Sequence, residues 1–207
     1  MPFDTAKDFT PVAFTGRAPL LVTTSNRLQV GSAGQLFALA KRKPGQSTYA
    51  SAGLGSINQI STELIALQAH VKLAHVPYKG GAPALNDLVG GHVDIFVSSI
   101  PQALQLVRSG QIKTLAVTSS KRSAILPDVP TLAEAGTPGA DAETWWGIAG
   151  PAGMSADIVN ALNAEINKIL ASPELATFRT NEGAEAEPMT PRQFGDMMRQ
   201  ETERWTR

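Results

Sequence analysis

The apolar positions of this chain fall into short runs whose period switches repeatedly. From 56 to 70, Ile57, Ile60, Leu64 and Leu67 recur at spacings of three and four, the stripe of an amphipathic helix. Brief β-like runs flank it, "STYAS" (47–51) and "KLAHV" (72–76). A short helix follows over "APALNDLVGG" (82–91), with Pro83 in its first turn and glycines at its end. Next come a strand at "VDIFVSS" (93–99), a helix over "PQALQLVRSG" (101–110) and a strand at "IKTLAVTS" (112–119). Strands and helices alternating through glycine-marked joints predict parallel βαβ units.

Upstream, Pro2, Pro11 and Pro19 make residues 1–19 irregular, before a short strand at "PLLVTTS" (19–25). A helix follows over "SAGQLFALAKRKPG", with Ser32 as its N-cap and Pro44-Gly45 as its stop. Downstream, "PTLAEAG" (130–136) predicts a helix of one or two turns opened by a Thr131–Glu134 capping box, and "TWWGIAGP" (144–151) a strand. Two helices dominate the rest. One runs from about Ser155 to Ala171 with Ile158, Leu162, Ile166 and Ile169 inward. The other starts at Thr190-Pro191 and buries Phe194, Met197, Met198 and Trp205. Asn181 to Pro188 between them is linker-like, with room for a short edge strand. The pattern predicts an α/β fold in two lobes: 1–49 with 145–207 as the first, and 50–144 as a contiguous second. The chain would cross between them at 47–51 and 144–150, and two crossings let one lobe rotate on the other.

Three joints between a strand and the next helix carry the candidate chemistry. The first is Ser51-Ala52-Gly53-Leu54-Gly55-Ser56. Such loops gather at the carboxyl edge of a parallel sheet, where glycines allow close backbone approach and a helix N-terminus favours an anion. A carboxylate or phosphate would suit it; so would a tight turn in which Ser56 merely caps its helix. A dinucleotide fingerprint would need glycine where Asn58 stands, and no P-loop lysine follows. The second joint places Tyr78 and Lys79 before Gly80-Gly81, Lys79 as a charge and Tyr78 as a stacking face or hydroxyl. The third is Ser98-Ser99-Ile100-Pro101. All three should converge on one edge. Trp145 and Trp146 lie in the outward crossing, where alternation buries one and turns the other to the cleft.

Composition narrows the function. Of 207 residues, 18 are Lys or Arg and 18 Asp or Glu, so no charge footprint points to nucleic acid or an anionic membrane. Without cysteine there is no disulfide or thiolate chemistry, and His70, His75 and His92 lack metal-ligand spacing, so neither metal nor cofactor is expected. No apolar run approaches a membrane span, and no secretion signal opens the sequence. No histidine is placed to meet Ser51, Ser56, Ser98 or Ser99, and Asp87 and Asp94 sit where solvated or capping roles are expected. A non-enzymatic binding protein fits; a ligand-sensing module with a signalling partner and an α/β enzyme are the alternatives.

Several stretches in register resemble one family: "AKDFTPVA" (6–13), "YASAGLGS" (49–56), "HVPYKGGAPALNDLVGGHVD" (75–94), "LAVTSSKRSAILPDVPTLAEAG" (115–136), "WWGIAGPAG" (145–153) and "IVNALNAEINKIL" (158–170). These resemble the Bug family, the extracytoplasmic solute receptors of tripartite tricarboxylate transporters. The resemblance implies a two-lobed, periplasmic-binding-protein-like α/β fold that captures a small mono- or dicarboxylate in the cleft between its lobes and passes it to a membrane permease. It implies a periplasmic location. Carried over residue by residue, the site comprises Ser51, Gly53, Gly55, Ser56, Tyr78, Lys79 and Gly80, with Ser98 and Trp146. Family members begin with a secretion signal, a first strand and a Gly-Gly loop, none of which this sequence contains. The resemblance therefore implies an N-terminally truncated receptor with an incomplete first lobe. The expectation is weak or no ligand binding by these 207 residues alone and a sheet edge prone to pairing.

Overall fold

The computed structural model describes residues 4–206. Two compact units emerge, one spanning Ala18–Thr144 and the other formed from the chain's two ends, up to Arg17 and from Trp145 onward.

The first unit is a sheet covered on both faces. Its strands are the C-terminal half of Phe9–Ser25 (β1), then Thr48–Ser51 (β2), Ala74–Pro77 (β3), Ile95–Ser99 (β4) and Ile112–Val117 (β5), in the order β3-β2-β4-β1-β5. Strand β2 runs parallel to β3 and β4, as the alternation predicts, whereas β1 is antiparallel to both β4 and β5. Helices Ala33–Arg42 (α1), Ile57–Gln68 (α2), Gly81–Gly90 (α3) and Ile100–Arg108 (α4) supply the layers. Leu20, Val22, Tyr49, Ile95 and Val97 pack with Leu36 and Phe37 of α1 and Ile65 of α2. The intervening Leu21, Ala50 and Phe96 pack with Leu88 of α3 and Ala103 of α4. A strand buried on both faces reads as an unbroken apolar run.

Four expectations need correction here. The inward boundary lies at Ala18, not 49/50, because β1 is an inner strand and α1 belongs to the same core. Residues 9–19 are strand despite Pro11 and Pro19; the ladder with β4 begins at Leu20, so Pro19 has no amide to contribute to it. Helix α2 does not bury Ile60 and Leu67, which are 39% and 68% exposed; it turns inward Asn58, Ser61, Thr62, Ile65 and Ala66. These smaller residues let the helix lie close to the sheet, and Asn58 Nδ2 reaches the Val97 carbonyl at 2.7 Å. Residues 130–136 form a hydrogen-bonded turn instead of a helix. The capping box closes, with Thr131 N–H to Glu134 Oε2 at 2.8 Å and Glu134 N–H to Thr131 Oγ1 at 3.1 Å. Yet Val117 bonds both Pro130 and Leu132, which holds this backbone extended beside β5.

The other unit pairs the N-terminal half of β1 with Glu143–Pro151 (β6) and adds Ala156–Leu170 (α5), Pro173–Glu182 (α6) and Pro191–Thr206 (α7). Helix α6 was not anticipated, although Ser172 caps it and Pro173 opens it; its apolar residues gather on no one face. Helix α5 buries Val159 and Asn163, while Ile158, Leu162 and Ile169 face out, against expectation. Asn163 sets that rotation by donating to the carbonyls of Val12 (2.8 Å) and Met189 (2.9 Å). In α7, Phe194 is buried between Phe14, 6.2 Å between centroids, and Trp145, 5.8 Å and edge-on. Met197, Met198 and Trp205 are only partly buried. The linker region contributes one bridge, Arg17 to Glu185.

Candidate functional site

The three joints meet at the carboxyl ends of β2, β3 and β4. The Tyr78 amide donates to the Ser51 carbonyl at 3.0 Å and the Gly80 amide to the Ala52 carbonyl at 3.2 Å, which sews the first joint to the second. An added methyl at Gly81 would meet the Gln102 amide at 2.9 Å, so the start of α3 abuts the first turn of α4. Parallel strands with their following helices bring ligand-binding loops to this kind of edge.

In the first joint Gly53 and Gly55 have φ of +129° and +75°, which a side chain would strain. Ser56 caps α2 through the Gln59 amide at 3.4 Å and donates to the Gly53 carbonyl at 2.7 Å, so the simple capping role is realised. The neighbouring helices differ. Helices α1, α2, α5 and α6 are each capped by a serine side chain and α7 by Thr190, whereas α3, starting at Gly80, and α4, starting at Ser99, have no side-chain cap. Pro83 and Pro101 carry no amide and Ile100 is buried, so the amides left to an outside acceptor are those of Gly81, Ala82 and Gln102, at the positive end of each helix dipole.

Ser98 is fully buried with its Oγ unpartnered at the start of α4. Lys79 is exposed beside the second joint. The Tyr78 hydroxyl donates to Asp87 Oδ2 at 2.6 Å, and its ring packs on the α3–α4 core. Burial first, then the Asp87 hydrogen bond and charge, push the Tyr78 phenol from 10.0 up to about 12. A raised native pKa favours the neutral phenol, so this stabilisation is complete below pH 10.0 and is lost as pH climbs toward 12. Chemical denaturation across that range should show the parent chain losing stability relative to Tyr78→Phe; parallel curves would refute the assignment. Asp94 accepts from the Thr48 amide at 2.8 Å, a capping role as expected. Trp146 lies in the other unit, half-exposed on β6, and Trp145 is the inward member of the pair.

One contact corrects the expectation that no histidine meets these serines. The His75 Nε2 lies 2.6 Å from Ser51 Oγ, and its ring stacks on Tyr49 at 4.8 Å. The β2–β3 register pairs Tyr49 with His75, which puts the imidazole one step diagonally from Ser51. Counting residues between joints misses this; aligning "TYAS" with "AHVP" as paired strands would have found it. The pair is not a nucleophilic dyad, because Ser51 is fully buried and its Oγ is closed to a substrate carbonyl. Among the described residues no cluster of His, Asp and Glu could hold a metal, and no helix is long and apolar enough to cross a membrane.

An α/β sheet with neutral, uncapped helix starts converging on its carboxyl edge is an arrangement suited to holding a small anion. The family model described as "Tripartite tricarboxylate transporter family receptor" matches residues 1–207, and the chain belongs to that family, which includes the Bug proteins and consists of solute receptors rather than enzymes. BugT of Bordetella pertussis is 35% identical over 205 residues, covering 99% of this chain and 63% of BugT. The structure of R. palustris Rpa4515 with adipate matches at TM-score 0.90 and 35% identity, over 100% of this chain and 69% of that one. MatC of Rhodopseudomonas palustris with bound malate matches at TM-score 0.87 and 31% identity, over 99% and 70%. The chain thus spans under two thirds of the length of BugT. These likenesses establish the α/β fold as that of periplasmic binding proteins.

Proposed function

We propose that this protein is a periplasmic solute receptor that binds a small mono- or dicarboxylate and delivers it to the permease of a tripartite tricarboxylate transporter. The observation that carries this reading is the pair of helices α3 and α4, which start side by side without side-chain caps on a neutral, serine- and glycine-rich edge. Open amides at two helix starts can hold a carboxylate that no buried arginine neutralises. Ser51, Gly53, Gly55 and Ser56 shape the first wall, Tyr78, Lys79 and Gly80 the second, and Ser98 the third. Lys79 adds attraction at the rim. The two compact units are the receptor's lobes. Similarity to proteins solved with adipate and with malate supports the acid class.

Amide chemical-shift mapping tests this even when binding is weak. Titrating the labelled chain with adipate or malate should move the amides of 54, 81, 82 and 102 together, with saturation and without turnover. Shifts absent at tens of millimolar acid, or scattered away from the three joints, would refute it.

A further inference from the structure

The Ser51–His75 contact sits directly behind the first joint. Ser51 Oγ has one proton and three polar neighbours: the Gly53 amide at 3.2 Å, the Gly53 carbonyl at 3.1 Å and His75 Nε2 at 2.6 Å. The Gly53 amide can only donate and the carbonyl can only accept, so the serine proton goes either to that carbonyl or to His75 Nε2. The arrangement that uses all three neighbours has the proton on the carbonyl and a hydrogen on Nε2 donated to Ser51. If the hydrogen sat on Nδ1 instead, Nε2 would take the serine proton and the Gly53 carbonyl would lose that partner.

That carbonyl is the hub of the loop. It accepts from Ser51 Oγ at 3.1 Å, Ser56 Oγ at 2.7 Å and the Ser56 amide at 3.2 Å. Among the described residues no peptide is cis, and across a trans peptide the carbonyl and the next amide point in opposite directions. A Gly53 carbonyl held on three inward donors therefore turns the Leu54 amide outward, and Leu54 as a residue is 81% exposed. The neighbouring Gly55 amide is already held by Gln59 Oε1 at 2.7 Å, which leaves Leu54 as the loop's outward donor.

We infer that His75 is a positioning residue for the 51–56 loop: by donating through Nε2 to Ser51 it fixes the Gly53–Leu54 peptide with the Leu54 amide facing the bound solute. The solute half of this statement rests on the carboxylate reading above; the loop half does not. His75 touches no solute itself. Tyr49, stacked on its ring, holds the imidazole plane, and the Tyr49 hydroxyl is engaged by Glu63 of α2.

The test combines imidazole nitrogen shifts, the Leu54 amide resonance and an adipate titration in three variants. His75→Phe keeps the ring on Tyr49 and removes the donor; His75→Gln keeps a donor and removes the ring; Ser51→Ala removes the hub's hydroxyl. The parent protein should show Nε2 protonated. His75→Phe and Ser51→Ala should shift the Leu54 amide without ligand and weaken adipate binding roughly tenfold, about 1.4 kcal/mol. His75→Gln should restore the amide and most of the affinity, which a merely space-filling role would not predict. An unprotonated Nε2, or a His75→Phe protein with unchanged Leu54 amide and affinity, overturns the inference. If the parent chain binds no carboxylate, the solute half of the inference falls, while the tautomer and the ligand-free Leu54 amide still decide the role of His75. Should His75→Phe fail to give a folded amide spectrum, Ser51→Ala carries the same expected shift and loss.

Discussion

Gly147→Ala should destabilise the unit built from β1, β6 and α7 by about 2 kcal/mol or more, with Phe194→Leu recovering part of the loss. The Phe194 ring stands end-on over Gly147: a Cβ there would fall within the ring's van der Waals radius and 2.9 Å from both Cε1 and Cε2. Those are stiff ring atoms in a fully buried side chain, wedged between Phe14 and Trp145, so the ring cannot swing away. The backbone of β6 or the axis of α7 must move instead, and both cost packing. Phe194→Leu alone opens a cavity where the ring tip sat and should cost roughly 1–2 kcal/mol. In the double variant the new methyl occupies that cavity, so the two losses should fall well short of additivity. Denaturant melts of the four proteins measure this directly. Additive losses would mean that Gly147 and Phe194 do not share the space the geometry assigns them.

The same glycine marks the boundary of what the sequence makes legible. Element order and type were readable across 47–119 because strand and helix periods alternate there and the stops of α3 and α4 are marked by Gly91 and Gly110, both in the left-handed conformation. The inward faces of the helices were not. Large apolar residues placed the stripe of α2 on Ile60 and Leu67 and that of α5 on Ile158 and Leu162, but both helices turn an asparagine inward. Asn58 and Asn163 each satisfy a backbone carbonyl of the strands they cover, so the buried polar contact goes with the inward face. Counting apolar residues cannot see it. The long β1 was hidden for a similar reason: Pro11 and Pro19 argue against strand only where the ladder needs their amides.

For the candidate site, the three joints were legible as strand-to-helix corners, and their convergence follows from parallel pairing of β2 with β3 and β4. What letters could not supply was which polar groups were already engaged. Ser56 and Tyr78 look alike as hydroxyls beside glycines, yet one caps α2 and the other donates to Asp87. The open donors are backbone amides, present at every position of a sequence and informative at none until the caps are counted. The missing caps on α3 and α4 are therefore the structural observation with the greatest functional weight.

That weight can be tested by filling one of the openings. Ala82 is exposed in the first turn of α3, after the Gly80 cap position. Ala82→Asp places a carboxylate among the amides proposed to receive the solute. Its effects on stability and on binding should have opposite signs. Stability should rise by roughly 0.3–1 kcal/mol, because the charge complements the helix dipole and satisfies an open amide. Binding should fall at least a hundredfold: a fixed carboxylate about 4 Å from the ligand's opposes it by about 4 kcal/mol at an effective dielectric constant of 20, besides occupying the donors. Ala82→Asn can occupy the same donors without the charge, so it should lose less affinity than Ala82→Asp and show no comparable dependence on salt. Melting curves and adipate titrations of both variants suffice. An Ala82→Asp protein that is stabilised yet binds the acid unchanged would show that the start of α3 is an ordinary helix end and that the solute is held elsewhere.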